Sequence, residues 1–262
     1  MKVILRRLVK LVNIALRKVG VKIVSVGTPL RDFTEFFAHL ELLNYRAKTV
    51  IDVGVGKGTP TLYKGNKSAK IILVEPVPDT NNILKDLADE LDAEVHNVAA
   101  SSSDGEITFN LHKDVTGSSL YDQSEGNDNF GVQKISVPQR RLETILTKPM
   151  ERPILLKLDT QGHEIETLIG CGDLVNQIDM IIAEVSFQEF RDEAPEIADI
   201  MIEFNKFGFV PYEILEGHYR TVDNALAQVD LVFVKETSVL RAEKRFFSDE
   251  QLERYNTTGW LK

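Results

Sequence analysis

The chain has 262 residues, with 31 Lys and Arg against 40 Asp and Glu for a formal net charge of -9, and 43% of its residues are hydrophobic. Length and composition predict one large globular domain, alone or with extensions, and the acidic balance argues against general nucleic-acid binding, which needs a basic face. The one cysteine, Cys171, excludes an internal disulfide and predicts a reducing, cytoplasmic location, and with five histidines beside it no structural zinc site is expected.

Taken in chain order, the first feature is a charge asymmetry: eight basic and no acidic residues precede Asp32. Within residues 2–19, Leu5, Leu8, Val9, Val12, Leu16 and Val19 recur at three- and four-residue steps, while Lys2, Arg6, Lys10 and Arg17 fall largely elsewhere on the wheel. That pattern predicts a basic amphipathic helix. Charges interrupt every apolar run well short of the ~20 residues that span a bilayer, and Lys10 breaks the apolar stretch a signal peptide needs. Two uses fit such a helix: peripheral association with anionic lipid or a membrane-bound partner, or packing on its own domain or on a second copy in a homo-oligomer. Residues 1–45 are read as this helical extension, 46–236 as the main domain and 237–262 as a charged tail.

From residue 49 short apolar runs alternate with helical stretches, the signature of an α/β protein with a mostly parallel sheet. Strands are predicted at 49–53, 70–74, 94–98, 106–111, 134–137, 154–158 and 180–185. Helices are predicted at 79–91, with Ile83, Leu84, Leu87 and Leu91 on one face, at 163–169 and at 196–207, with a short turn at 142–146. Gly170 and Gly208 stop the second and third helices. Residues 112–133 are polar and rich in Gly, Ser, Asn and Asp, and read as one long loop, a length that in a compact domain usually carries function. Its Thr116-Gly-Ser-Ser119 segment is a candidate cover for a bound acceptor; a plain surface loop reads equally well. The runs at 209–215 and 229–235 read as a hairpin at the sheet edge.

The motif with most chemical content is Asp52-Val-Gly54-Val-Gly56-Lys-Gly58, which follows the first strand. Glycines there let backbone N–H groups approach a ligand that side chains would obstruct. Their two-residue spacing differs from the GxGxxG dinucleotide fingerprint, and no phosphate-binding Lys-Ser/Thr pair follows. Asp52, at the strand's carboxyl end, suits a cofactor amino group. Glu75 lies 23 residues on, at the end of the next strand, and suits a ribose diol.

These residues bring the chain close to a known family. VIDVGVGKG (50–58), ILVEP (72–76), HNVAASSSDGEITF (96–109), LLKLDTQGHEIETLIG (155–170), IIAEVSF (181–187), FGFVPYEI (207–214) and QVDLVFVK (228–235) resemble, in order, the FkbM methyltransferases. The resemblance covers most of 49–235. It implies a class I methyltransferase fold, a Rossmann-like, seven-stranded, mostly parallel sheet ending in an antiparallel hairpin. It implies S-adenosyl-L-methionine as methyl donor and a hydroxyl acceptor on a sugar, glycan or secondary metabolite. Asp52, Gly54, Gly56 and Glu75 then look like cofactor contacts, with Ala99, Ser101 and Asp104 at the adenine end. Asp159, Gly162 and Glu164 match the family's D-x-x-G-x-E motif. Gly56 stands where the family usually has Asn, and His163 where it usually has Ala or Tyr.

Methyl transfer to a hydroxyl rests on positioning the acceptor and on a base for its proton. Asp159, His163 and Glu184 are the candidates at the sheet's carboxyl edge. For Asp159 the competing role is a helix N-cap; for His163, a satisfied buried or surface group; Glu164 instead suits a backbone turn anchor. Nothing in the spacing of Asp159 and Glu184 demands a divalent ion, so no metal is expected. Two other functions are compatible with the residues: a nicotinamide-dependent oxidoreductase, and a non-catalytic scaffold that keeps this fold.

Overall fold

The computed structural model describes residues 31–77, 81–112, 117–122 and 132–259, with Val12, Leu16 and Ile23 besides. The amphipathic helix expected at 2–19 thus falls outside the described residues apart from Val12 and Leu16. Among the described residues no helix is long and apolar enough to cross a membrane.

The first element is helix α1 (Phe33–Leu42), started by a capping box in which the Asp32 carboxylate accepts from Glu35 N and the Glu35 side chain returns to Asp32 N. Strand β1 (Thr49–Val53), α2 (Pro60–Gly65), β2 (Lys70–Val74), α3 (Asn81–Leu91) and β3 (Glu94–His96) follow. Then come β4 (Ala99–Ala100), β5 (Gly105–Leu111), β6 (Gln133–Arg140) and α4 (Leu142–Ile145). The second half is β7 (Ile154–Leu158), α5 (Glu164–Ile169), β8 (Ile178–Ser186), α6 (Ile197–Lys206), β9 (Phe209–Tyr219), β10 (Leu226–Lys235) and α7 (Asp249–Thr258).

Seven strands form the main sheet in the order β3-β2-β1-β7-β8-β10-β9. β10 pairs antiparallel with both β8 and β9, and the other pairs are parallel. The predicted terminal hairpin is therefore present, with its second strand inserted beside β8 and β9 left at the edge. Every residue of β1 and β7 is buried, as expected for central parallel strands covered on both faces. The chain winds outward from β1 to β3 and returns to β7 on the other side, which places the switch point, and with it the ligand crevice, at the carboxyl ends of β1 and β7.

Side chains alternate between two cores. One holds Ile51, Val53, Ile72, Leu156, Leu158, Ile181 and Ala183, with Phe204 of α6 packed 4.9 Å from the Phe233 ring. The other holds Val50, Leu73, Leu155, Ile182 and Val232, covered by Phe33, Phe36 and Phe37 of α1 and Leu62 of α2. Helix α1, assigned on sequence to the extension, is thus part of the domain's core. Full burial contributes about 1.5–3 kcal/mol per large apolar side chain, so α1 adds several. The same alternation sends Asp52, Lys157, Glu184 and Asp230 to the second face, where Asp52 lies opposite Lys157 and Glu184 opposite Asp230 in register.

Three details differ from the sequence reading. β4, β5 and β6 do not join the main sheet; they form a separate three-stranded sheet over Val77, Ala99, Phe109 and Val137. In α3, Leu84 is buried but Ile83 faces solvent at 43% exposure. The polar stretch is not one free loop, because Ser119 exchanges backbone hydrogen bonds of 2.8 and 3.1 Å with Asn110 at the end of β5. Past β10, α7 buries no residue, in line with a surface tail.

Candidate active site

A cavity of about 1060 Å³ opens at the carboxyl ends of β1, β2, β7 and β8, with residues 117–118 and Leu120 along its rim. One wall is the glycine loop. Gly54, Gly56 and Gly58 all have positive φ, at +80, +54 and +87°. Gly54 N donates to Val74 O at 3.0 Å, and a Cβ at Gly54 would lie 1.9 Å from the carbonyl oxygen of Asp159. The first loop is thereby pressed against the turn after β7, with no room for a side chain between them.

Glu75 lines this wall. Its two carboxylate oxygens accept from Gly56 N and Val77 N, both at 2.9 Å, which fixes the carboxylate and leaves a second lone pair on each oxygen. Burial pushes its pKa up against those two bonds. Ala99, expected at the adenine end, also lines the cavity, beside Val77 and Phe109.

Three sequence-predicted cofactor contacts are placed elsewhere. Asp52 is fully buried behind the loop and does not line the cavity; its Oδ2 accepts from the Tyr63 hydroxyl at 2.5 Å, and its Oδ1 has no partner. It shares the pleat side of Val50. Ser101 is buried behind the cavity, its hydroxyl 3.1 Å from His163 Nε2. Asp104 is away from the cavity on the surface, where Oδ1 accepts from Arg141 N at 2.8 Å and from the Thr144 hydroxyl at 3.1 Å, holding the start of α4.

The same cavity is lined by Asp159, Gln161, His163, Glu184, His218 and Gln228. Asp159 ends β7 and is no N-cap, since α5 begins at Glu164 with His163 at the cap position. Its Oδ2 accepts from the buried Lys157 ammonium at 2.9 Å and its Oδ1 from Gln161 Nε2 at 3.0 Å. Burial opposes its charge, but Lys157 prevails and holds the carboxyl below the usual carboxylate range. Gln161 Nε2 also donates to Glu184 Oε2 at 2.6 Å, and Gln228 Nε2 reaches the same oxygen at 2.9 Å. Burial, then Asp159 and Asp230, push Glu184 up to about 8. A charged and a proton-bearing carboxyl thus stand side by side at neutral pH, the usual outcome when like charges crowd.

His163 and Asp159 come together through the Asp159–Gly162 turn rather than by one turn of helix. Burial lowers His163 to about 4, so the ring is neutral; Nδ1 has no partner, and the Tyr121 ring lies 6.0 Å away. Glu164 is the turn's anchor: its Oε1 accepts from Thr160 N at 3.0 Å, the Thr160 hydroxyl at 2.9 Å and Gly162 N at 3.2 Å. The residues missed on sequence are Lys157, Gln161, Arg191 and Gln228. Lys157 had a readable signal, a lone charge inside Ile-Leu-Leu-Lys-Leu. Arg191, which donates to Gln161 Oε1 at 2.6 Å, had none. Among the described residues no three His, Cys, Asp or Glu side chains are grouped to hold a metal ion.

A side-chain-free glycine cradle, a buried acid with lone pairs toward the cavity and an apolar flank of Val77, Ala99 and Phe109 fit a nucleoside-bearing cofactor, and the volume leaves space for a second ligand. The strand order and this crevice define a class I methyltransferase fold. The methyltransferase FkbM domain matches residues 52–211, and the chain belongs to that family, whose methyl donor is S-adenosylmethionine. A curated relative, the hexuronic acid methyltransferase AglP of Haloferax volcanii, is 27% identical over 136 residues; the match covers 51% of this chain and 54% of the relative's length. Solved structures with a similar fold include the magnesium protoporphyrin IX methyltransferase of Synechocystis PCC 6803, at 13% identity over 78% of this chain and 77% of that one with a TM-score of 0.41. A second is a putative RNA methyltransferase from Pyrococcus horikoshii, at 15% identity over 78% and 82% with a TM-score of 0.42.

Proposed function

We propose that this chain is an S-adenosylmethionine-dependent O-methyltransferase acting on a hydroxyl of a sugar or glycan. The observation that carries this reading is the pair of unlike carboxyls, Asp159 and Glu184, lining one cavity together with the glycine loop. The cofactor supplies an electrophilic methyl group on a sulfonium. Asp159, charged at neutral pH, accepts a hydrogen bond from a neighbouring hydroxyl of the acceptor and so orients the reacting one. Glu184, in its ionised form, takes the proton of the reacting hydroxyl as that oxygen is methylated. A base with pKa about 8 is ionised in a minor fraction at neutral pH and keeps a high affinity for the proton it takes. Gln161, Gln228, His163 and His218 line the same cavity with polar groups suited to several hydroxyls. The similarity to AglP, a hexuronic acid methyltransferase, supports a sugar acceptor.

The test pairs calorimetry with a labelled-methyl assay on glycans ending in hexuronic acid. S-adenosylhomocysteine is expected to bind and NAD not to. Glu184→Gln is expected to lower kcat by about 100-fold while S-adenosylhomocysteine affinity stays within about threefold, and wild-type kcat should rise as pH increases through about 8. Binding of NAD without S-adenosylhomocysteine, or an unimpaired Glu184→Gln, overturns the reading.

A further inference from the structure

Lys157 is 3% exposed, in the middle of a fully buried strand. An ammonium taken out of water costs several kcal/mol unless strong partners replace its hydration, so its partners indicate what it is there to hold. It lies opposite Asp52 in the β1–β7 register, with Asp230 of β10 on the same sheet face, yet its hydrogen bond goes to Asp159 Oδ2 at 2.9 Å. Asp159 spends its other oxygen on Gln161 Nε2, and that same nitrogen donates to Glu184 Oε2. The carboxamide cannot turn over without loss, because its Oε1 accepts from Arg191 Nη2 at 2.6 Å. Gln228 closes the far end on Glu184. One continuous line of hydrogen bonds therefore runs from the interior of β7 across the turn to β8 and β10. Lys157 does not line the cavity; Asp159, Gln161, Glu184 and Gln228 do.

We propose that Lys157 is a positioning residue for methyl transfer, its buried ammonium locking the Asp159 carboxylate at the cavity wall and, through Gln161, the carboxyl of Glu184. The inference rests on the reading that methyl transfer takes place at this wall. The charge arrangement agrees with it. Asp52, Asp159 and Asp230 face Lys157, while Asp159, Asp230, Lys157 and Glu164 face Glu184. Arg191 is a second cation, facing Asp159, Glu184 and Glu164, and two cations do not neutralise all five carboxyls. The group that bonds it directly, Asp159, keeps its charge; burial raises Asp52, Asp230 (to about 6) and Glu184 (to about 8).

The experiment replaces the ammonium by a side chain of similar length, Lys157→Met, and follows carboxyl groups by ¹³C NMR across pH beside steady-state kinetics. In the wild type the Asp159 resonance, assigned through Asp159→Asn, is expected to titrate only in the acid range. In Lys157→Met the Asp159 titration should move up toward neutral pH, beside those of Asp230 and Glu184, and it should be absent in Lys157→Met/Asp159→Asn. The kcat of Lys157→Met should fall at least tenfold at pH 7, with the KM for S-adenosylmethionine and the S-adenosylhomocysteine Kd within about threefold. A merely structural lysine would lower stability and move the Asp159 titration while leaving the kcat of the folded variant unchanged. An unmoved titration, or a kcat within twofold of wild type, overturns the proposal. If Lys157→Met does not fold, Lys157→Met/Asp52→Asn removes one buried carboxyl along with the cation and gives the same two readouts. The failures are separable. Full activity of Asp159→Asn sinks the role given to the wall, whereas an impaired Asp159→Asn beside an unimpaired Lys157→Met leaves the wall standing and sinks Lys157.

Discussion

At Gly54 the backbone is left-handed and the space where a Cβ would sit is taken by the main chain of Asp159. Both constraints act on Gly54→Ala. The conformation costs about 1–2 kcal/mol and the overlap about 1–3 more. The expected loss of about 2–5 kcal/mol is measurable by denaturant unfolding, and S-adenosylhomocysteine affinity should fall with it. A variant as stable as wild type would show that the loop and the β7 turn can part without cost. Gly56 is different: its φ of +54° lies in the left-handed well that Asn tolerates best among side-chain-bearing residues, so Gly here and the family's usual Asn meet the same requirement. Strand-end position made Asp159, Glu184 and Glu75 legible as candidates. For Asp52 the same cue does not reveal the partner that takes it, the buried Tyr63 hydroxyl contributed by the next helix.

The element that organises the site is the turn between β7 and α5, and Glu164 organises the turn. Its carboxylate is 2% exposed and gathers three donors from Thr160 and Gly162. Glu164→Ala leaves those buried donors unmet, at a cost of about 1–3 kcal/mol. For a chain of this size that is a fall in Tm of roughly 2–12 °C by calorimetry. Because Asp159 and Gln161 hang on the same turn, kcat should drop more than the KM for S-adenosylmethionine rises. Equal changes in the two would mean that the turn serves binding alone. The helices and central strands were readable from period and punctuation, but the split into two sheets was not. β5 and β6 have the same half-buried pattern whether they extend the main sheet or pair with each other, and that choice depends on where the chain crosses after β3.

At the scale of the whole molecule the buried carboxyls set the pH response. Glu184 rises from 4.5 to about 8 and Asp230 from 3.8 to about 6 on folding. Between those limits the folded protein binds more protons than the unfolded chain, so these groups make stability decline as pH increases toward 8. Asp159, held low by Lys157 against its burial, acts in the opposite sense, and its contribution is lost as pH falls through the acid range. Unfolding measured from pH 5 to 8 should therefore show a decline that Glu184→Gln flattens by about 1–3 kcal/mol. An identical slope in the variant would mean that Glu184 titrates normally in the folded state.

The sequence by itself determined the α/β architecture, the glycine loop and the acids at the strand ends, because these follow from local period, glycine's freedom at positive φ and the fixed polarity of parallel strands. Only the tertiary structure decided how those pieces meet. Asp52, expected at the cofactor, turns inward to Tyr63 and Lys157. Asp104 serves a helix start, and β10 enters beside β8 rather than at the edge. Lys157 and Gln161 join Asp159 to Glu184, which are 25 residues apart in the chain. The physical reason is that pleat face, register and hydrogen-bond partner are pairwise properties of segments far apart in sequence. The protonation states on which the chemistry depends arise from those pairings, not from any one residue.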